Sequence, residues 1–134
     1  MKRFHSLVLV LLFLLSACSK RIQDLPPQTW QGYEVKVLSV ESKGANWTSS
    51  QGMESHAKEG SEIVVAAVNF KPLSGPPDVR GTIVRADLED KNGRHYEMFV
   101  IGVLGKEPLQ FPFEVPKGAA LKTLRVNDLI FDLT

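Results

Sequence analysis

Residues 109–115 have the clearest apolar face in the chain and read Leu109-Gln-Phe-Pro-Phe-Glu-Val115. Every second residue is apolar, and successive side chains of a β-strand point to opposite faces of a sheet. The pattern therefore predicts a strand with one buried face, formed by Leu109, Phe111, Phe113 and Val115. Pro112 has no N–H to donate to a neighbouring strand, which places this strand at the edge of its sheet.

The chain before this stretch is also extended. Residues 63–70 are almost all apolar, as in a central strand that is covered on both faces. Residues 84–88 and 96–100 alternate on either side of a turn at residues 90–93, which predicts a hairpin. Alternation also begins at Tyr33 and changes phase five residues later, which indicates either a β-bulge or a switch of the strand to the other face.

The C-terminal part completes the pattern. Residues 121–133 predict one or two further strands, separated at Asn127-Asp128. Beyond Tyr33, no segment of about 10 residues has convincing helical periodicity. About seven short strands separated by turn residues are typical of a β-sandwich. We therefore predict an all-β domain over residues 33–134.

Four segments of this region resemble an uncharacterised immunoglobulin-like domain that is common in bacterial lipoproteins. They are Tyr33-Glu-Val-Lys-Val37, residues 59–69, Asp90-Lys-Asn-Gly-Arg-His-Tyr96 and Phe113-Glu-Val-Pro-Lys-Gly118. The chain departs from that family after the central strand, where it has Asn69-Phe-Lys-Pro72 in place of the usual Asn-x-Gly turn. The resemblance implies an immunoglobulin-like β-sandwich of about seven strands in the bacterial envelope, and it supplies no catalytic residues.

The first 17 residues have the composition of an export signal. The basic pair Lys2-Arg3 precedes an uninterrupted apolar run over residues 7–15 and the small residues Ser16 and Ala17. A membrane-spanning helix is the alternative, but such a helix needs roughly 20 apolar residues. We expect residues 1–17 to be a signal peptide that is removed on export.

The segment Leu15-Ser-Ala-Cys18 resembles the lipobox of bacterial lipoproteins. We expect cleavage between Ala17 and Cys18 and lipidation of Cys18, the only cysteine of the chain; the alternative is an ordinary buried thiol. Acyl chains on Cys18 would hold the protein on a membrane. By the same resemblance, Ser19 implies the periplasmic face of the outer membrane rather than the inner membrane.

Residues 18–32 connect the lipidation site to the domain. They are largely polar, contain Pro26-Pro27 and lack periodicity, so we expect a lipidated tether without strand or helix. Trp30 is the exception, because its large side chain either packs on the domain or contacts a partner.

Composition argues against several classes of function. Beyond the signal the chain has 14 Lys and Arg against 15 Asp and Glu, interspersed along the sequence. Nucleic-acid binding requires a concentrated basic surface, so we do not expect it. A zinc site requires three or four ligands, and His56 with Glu59 falls short of that number. We expect no metal, no cofactor and no catalytic residues.

A hydrolase is the third and least favoured hypothesis. It would require scattered carboxylates to meet in space. These are Glu54, Glu59, Asp78 and Asp87. His56 and His95 are the only histidines beyond the signal, and neither lies in a motif of nucleophilic catalysis.

The most informative connection is residues 42–60, which is too long for a passive link. It contains Trp47, Met53 and His56, so we expect either a recognition loop or short strands that the pattern does not reveal. Trp47 could equally be a packing anchor. The favoured hypothesis is a non-catalytic, lipid-anchored module that binds or scaffolds another envelope component, a protein or a glycan. The second is a small-ligand binder with Trp47 at the mouth of its pocket.

Overall fold

The computed structural model describes residues 22–75, 82–101, 104 and 107–134. These residues form ten β-strands and one turn of 3-10 helix at Ile22–Asp24. The strands are β1 (Gln28–Trp30), β2 (Tyr33–Ser42), β3 (Asn46–Thr48), β4 (Glu54–His56), β5 (Ser61–Pro72), β6 (Ile83–Asp90), β7 (His95–Ile101), β8 (Leu109–Pro116), β9 (Leu121–Val126) and β10 (Leu129–Asp132).

The described strands pair in antiparallel fashion and form two four-stranded sheets. The first sheet has the order β1-β2-β5-β8 and the second has the order β10-β9-β6-β7, while β3 and β4 form a separate hairpin. The prediction of an all-β sandwich is confirmed. Seven strands have four or more residues, and the other three have three residues each, which is too few to produce a recognisable alternation.

The core is formed by the inward faces of both four-stranded sheets. Phe70, Phe111 and Phe113 contribute its largest side chains from the first sheet. Leu88 and Leu124 contribute from the second. Removing these apolar surfaces from water is the main term that stabilises the fold. The buried face predicted for residues 109–115 is therefore confirmed.

The positions of β5 and β8 also follow the sequence. β5 pairs with β2 on one side and with β8 on the other, which confirms the central strand predicted over residues 63–70. β8 ends the order of its sheet, as Pro112 requires. The register of β2 shifts between Val37 and Ser39, so the predicted bulge is confirmed.

The prediction of an unstructured tether over residues 18–32 is wrong for the C-terminal part of that range. Instead of a link without structure over residues 18–32, the helical turn and β1 belong to the fold, and β1 pairs with β2. Leu25 is buried in the core, and the Trp30 ring lies 6.1 Å from that of Phe70 between ring centroids. Trp30 therefore packs on the domain.

The turn between β1 and β2 explains why β1 was not predicted. Gln31 and Gly32 both have positive φ angles, 43° and 83°, and connect the paired residues Trp30 and Tyr33. This is the geometry of a tight two-residue hairpin turn, whose first position is usually Asn, Asp or Gly. A glutamine at that position gives no such signal.

The predicted hairpin of β6 and β7 is confirmed, and its turn is fixed by a buried carboxylate. Asp90 accepts hydrogen bonds from the N–H groups of Asn92 and Arg94, at 2.9 and 3.0 Å, and from the Tyr96 hydroxyl at 3.1 Å. Burial raises the pKa of Asp90, but these hydrogen bonds and the nearby Arg94 charge outweigh burial, so the pKa lies below its ordinary value.

The signal peptide predicted over residues 1–17 and the lipidation site at Cys18 lie outside the described residues. Within the part that is described, no helix has the length and hydropathy that crossing a bilayer requires.

Candidate binding surface

Residues 42–60 contain the β3–β4 hairpin, so this connection includes short strands that the sequence pattern does not reveal. Trp47 pairs with Ser55 across the hairpin, and both side chains are half-buried. The neighbouring pair, Asn46 and His56, is exposed. The hairpin thus has one covered face, which includes Trp47, and one face open to solvent.

The β3–β4 hairpin lies against the outer face of the first sheet. Two outward side chains of β8 accept hydrogen bonds from it: Glu114 from the N–H of Lys58 at 2.8 Å, and Gln110 from the N–H of Ser50 at 3.3 Å. The β5 residues paired with β8 on this face include Ile63 and Val65, each only 3% exposed. The hairpin is therefore a cover for apolar side chains, which supports the interpretation of Trp47 as a packing anchor.

The other two residues of the predicted recognition loop are both exposed but lie in different settings. The Nδ1 atom of His56 lies 2.7 Å from Asn46 Oδ1, and its Nε2 atom lies 3.5 Å from Glu54 Oε2. Met53 lines a depression of about 240 Å³ that also includes Leu109 and Phe99. Of the three predicted residues, Met53 lines the depression beside Phe99, an aromatic side chain of β7.

The outer face of the second sheet is different, because large apolar side chains lie open on it. Phe99 is 64% exposed, Ile130 is 53% exposed and Ile83 is 47% exposed. The strand registers place them among charged and polar neighbours on the same face. These neighbours are Arg85, Asp87, Glu89, His95, Glu97, Thr123 and Arg125. An exposed aromatic residue among arginines is typical of binding surfaces.

Cross-strand pairing sets the electrostatics of this face. Arg85 lies opposite Phe99, and Asp87 lies between Arg125 on β9 and Glu97 on β7. An opposite charge directly across a sheet is stabilising, whereas the like-charged pair Asp87 and Glu97 is destabilising. The fold therefore contains one unfavourable electrostatic contact, between Asp87 and Glu97.

These side chains surround a depression of about 400 Å³ on the outer face, here called the β6–β7–β9 depression. Its lining includes Arg85, Asp87, Glu97, Phe99, Arg125 and Asn127. The two arginines balance the two carboxylates in formal charge. A volume of this size falls within the range of roughly 300–1,000 Å³ that small-molecule sites occupy.

His95 is held at the border of the depression by Asp87. Its Nδ1 atom lies 2.8 Å from Asp87 Oδ2. This hydrogen bond and the Asp87 charge raise the pKa of His95 above its ordinary value, with a further contribution from Glu89. Partial burial and the positive charge of Arg125 act in the opposite direction but are smaller. The pair therefore favours the protonated imidazole.

Two buried polar atoms of the depression have no hydrogen-bond partner among the described residues: Asp87 Oδ1 and Asn127 Nδ2. Asn127 has a φ angle of 52°, and its Oδ1 atom accepts a hydrogen bond from the N–H of Arg85 at 3.1 Å, which leaves the amide nitrogen over. Buried polar atoms are normally hydrogen-bonded. One acceptor and one donor beneath the depression are thus left without a partner among the described residues.

The carboxylates considered for a hydrolase do not gather at one place. Glu54 lies in the hairpin over the first sheet, Asp87 lies on the outer face of the second, and Asp78 is outside the described residues. The carboxylate opposite Asp87 is instead Glu97, which the sequence did not single out. Within the described ranges, no three His, Cys, Asp or Glu side chains are arranged to hold a metal ion.

Comparison of the chain with models of known protein families, with curated proteins and with solved structures gave no match.

Proposed function

We propose that the protein is a non-catalytic, lipid-anchored module that recognises another component of the bacterial envelope through the outer face of its second sheet. The observation that carries this proposal is Phe99, a large aromatic side chain that is 64% exposed beside Arg85 and the β6–β7–β9 depression. Truncating an aromatic residue at a binding hot spot typically costs about 2 kcal/mol or more of binding free energy. An aromatic side chain that is open to solvent, as Phe99 is, can make such a contact with a partner.

An immunoglobulin-like arrangement is part of this proposal, and strand order supports it. The seven longer strands divide into β2, β5 and β8 on one sheet and β10, β9, β6 and β7 on the other. In immunoglobulin domains of the variable type, the last two strands pair with the third strand and with an added strand that follows it. The order of the second sheet has this form.

The proposed anchor is lipidated Cys18 on the outer membrane. Ile22 begins the first element of the fold and lies four residues after Cys18. Four extended residues span at most roughly 14 Å. The domain would therefore be held close to the bilayer, and its partner would be a component found within that distance of the membrane.

A small-ligand binder is the second candidate, and the β6–β7–β9 depression favours it specifically. The pocket we expected had Trp47 at its mouth, whereas this depression lies on the opposite sheet. The tip of the β3–β4 hairpin remains part of the proposed surface through Met53, because the second depression shares Phe99 with the first.

We also propose that the protein is not an enzyme, and the contacts of its two described histidines support this proposal. His56 contacts Asn46 and Glu54, and His95 contacts Asp87. Nucleophilic catalysis instead needs a base beside a serine, threonine or cysteine.

Photocrosslinking in intact cells tests the proposed surface. A photoreactive amino acid at Glu97 or Ile130 should give a discrete adduct, because both positions adjoin Phe99 or share its face. The same amino acid at Leu38, exposed on the other sheet, is the matched control. Equal adducts at all three positions, or none at the first two, would contradict the proposal.

The anchor is tested separately with Cys18→Ser. The variant should appear unlipidated and leave the membrane fraction, since only a thiol can form the lipid thioether. A Cys18→Ser protein that is still processed and membrane-bound would show that the anchor lies elsewhere.

A further inference from the structure

The chemistry of the β6–β7–β9 depression narrows the class of its ligand. The lining combines a flat aromatic ring with side chains that end in planar polar groups, and one atom of Asp87 and one of Asn127 have no protein partner among the described residues. These features indicate a ligand that presents hydrogen-bond donors and acceptors next to a weakly polar C–H surface.

We propose that the β6–β7–β9 depression binds an uncharged saccharide ring, so that the envelope component recognised by this module is a glycan. This inference rests on the binding surface proposed above. It adds the chemical class of the ligand and the roles of individual residues.

Hydroxyl groups suit the two partnerless atoms. Each hydroxyl donates one hydrogen bond and accepts up to two, so one hydroxyl of a saccharide can donate to Asp87 Oδ1 while another accepts from Asn127 Nδ2. Arg85 and Arg125 add further donors, and Glu97 adds acceptors. Both atoms are buried in the unliganded domain, so a hydroxyl contacts them only if the groups that cover them move.

Phe99 supplies the apolar half of the site. The face of an aromatic ring carries partial negative charge, and the C–H bonds on one side of a pyranose ring carry partial positive charge. Stacking of the two removes both surfaces from water. This is a direct use for a phenylalanine ring that is exposed beside polar groups.

Formal charge argues for an uncharged ligand. Arg85 and Arg125 balance Asp87 and Glu97 within the depression, so an anion would meet the carboxylates and a cation would meet the arginines. His95 lies at the border directly across from Glu89, whose carboxylate balances the charge of a protonated imidazole.

An extended peptide is less well served by this geometry. A strand added to a sheet pairs with the backbone at the sheet edge. The depression instead lies across the faces of three strands, and its lining consists mainly of charged and polar side chains rather than an apolar pocket for a peptide side chain. We therefore favour a saccharide over a protein ligand, and the experiments below distinguish the two.

The test uses full-length protein made with its own signal and extracted in detergent. Binding of two neutral tetrasaccharides, β-1,4-linked N-acetylglucosamine and α-1,4-linked glucose, is measured by isothermal titration calorimetry and by saturation-transfer NMR. We expect saturable binding of at least one. Phe99→Ala should weaken it about tenfold or more, whereas Phe99→Tyr, which keeps the ring, should stay within about threefold of the unmodified protein.

Leu38→Ala is the matched control, because Leu38 is an exposed apolar residue of the other sheet, and its affinity should be unchanged. Each variant is first shown to melt at the temperature of the unmodified protein. Failure of both tetrasaccharides to bind, or equal affinity in Phe99→Ala, would overturn the saccharide proposal.

The crosslinking experiment separates this failure from failure of the binding surface. Discrete protein adducts from Glu97 or Ile130 without saccharide binding would contradict the proposal of a glycan ligand but would still support the proposed binding surface. Neither adducts nor saccharide binding would overturn both.

Discussion

The outer faces of the two sheets differ in what covers them. On the first sheet, Ile63 and Val65 are 3% exposed, and the β3–β4 hairpin is hydrogen-bonded to the neighbouring strand. On the second sheet, Phe99 and Ile130 are more than half exposed. The first face is thus a second, smaller site of apolar burial, whereas the second face keeps its apolar side chains in contact with solvent. This contrast separates residues that hold the fold from residues that are open to a partner.

The largest loss of stability is expected in the core between the two sheets. This loss is the reference for substitutions on the outer faces. Phe113→Ala should lower the free energy of unfolding by about 3–5 kcal/mol, since it removes a fully buried ring and leaves a cavity. Chemical denaturation of the variant measures this change. A loss below about 1 kcal/mol would mean that the inward face of β8 is wrongly assigned.

The contrast between the outer faces is tested by Ile63→Ala and Phe99→Ala. Ile63→Ala should cost about 2–4 kcal/mol because its side chain is buried beneath the hairpin. Phe99→Ala should cost about 0.5 kcal/mol or less, as is usual for an exposed position. Similar losses at both positions would remove the distinction between a covered face and an open face.

The sequence predicted more of the fold than of the candidate surface. Alternation placed Tyr96, Met98 and Val100 on the inward face of β7, and this phase already put Phe99 outside. A phenylalanine on the polar phase of a strand is the sequence signal for the candidate surface. Trp47 lies in a long connection, and such connections often carry function, which is why the prediction favours Trp47 over Phe99.

Other parts of the surface could not be predicted from local patterns. The depression requires β9 to pair with β6. Local sequence patterns do not reveal which distant strands become neighbours. The hairpin cover depends on strands of three residues, which are too short for a period of two to appear. The opposition of Asp87 and Glu97, in contrast, follows from the turn at Asp90 to Gly93, which fixes the register of β6 and β7.

A smaller effect is expected at the hairpin cover. Trp47→Ala should lower the melting temperature by several degrees, because the half-buried ring anchors the hairpin and a loss of about 1 kcal/mol shifts the melting temperature of a domain this size by roughly 4–8 °C. Ligand capture should be unchanged. His56→Ala, an exposed change in the same hairpin, is the control. Lost capture with an unchanged melting temperature would instead identify the hairpin as the recognition element.

The smallest expected effect is the pH dependence contributed by His95. Its folded-state pKa is raised above 6.5 by Asp87, so its contribution to stability is fully present below pH 6.5 and is lost as the pH rises through the folded-state pKa. Asp87 and Glu89 on β6 and Arg125 on β9 are the charged groups that act on it. Melting curves between pH 5.5 and pH 8.5 of the unmodified protein and of His95→Gln should converge toward high pH. Parallel curves across this range would contradict the pairing.

We propose that the open face of the second sheet binds a partner and that the covered face of the first does not. Phe99→Ala, introduced into the protein that carries the photoreactive amino acid at Ile130, tests this when crosslinking yield and melting temperature are measured on the same sample. We expect the adduct to be lost while the melting temperature stays within about 4 °C of the parent protein. An unchanged adduct together with a large drop in melting temperature would show that Phe99 stabilises the fold and that binding occurs elsewhere.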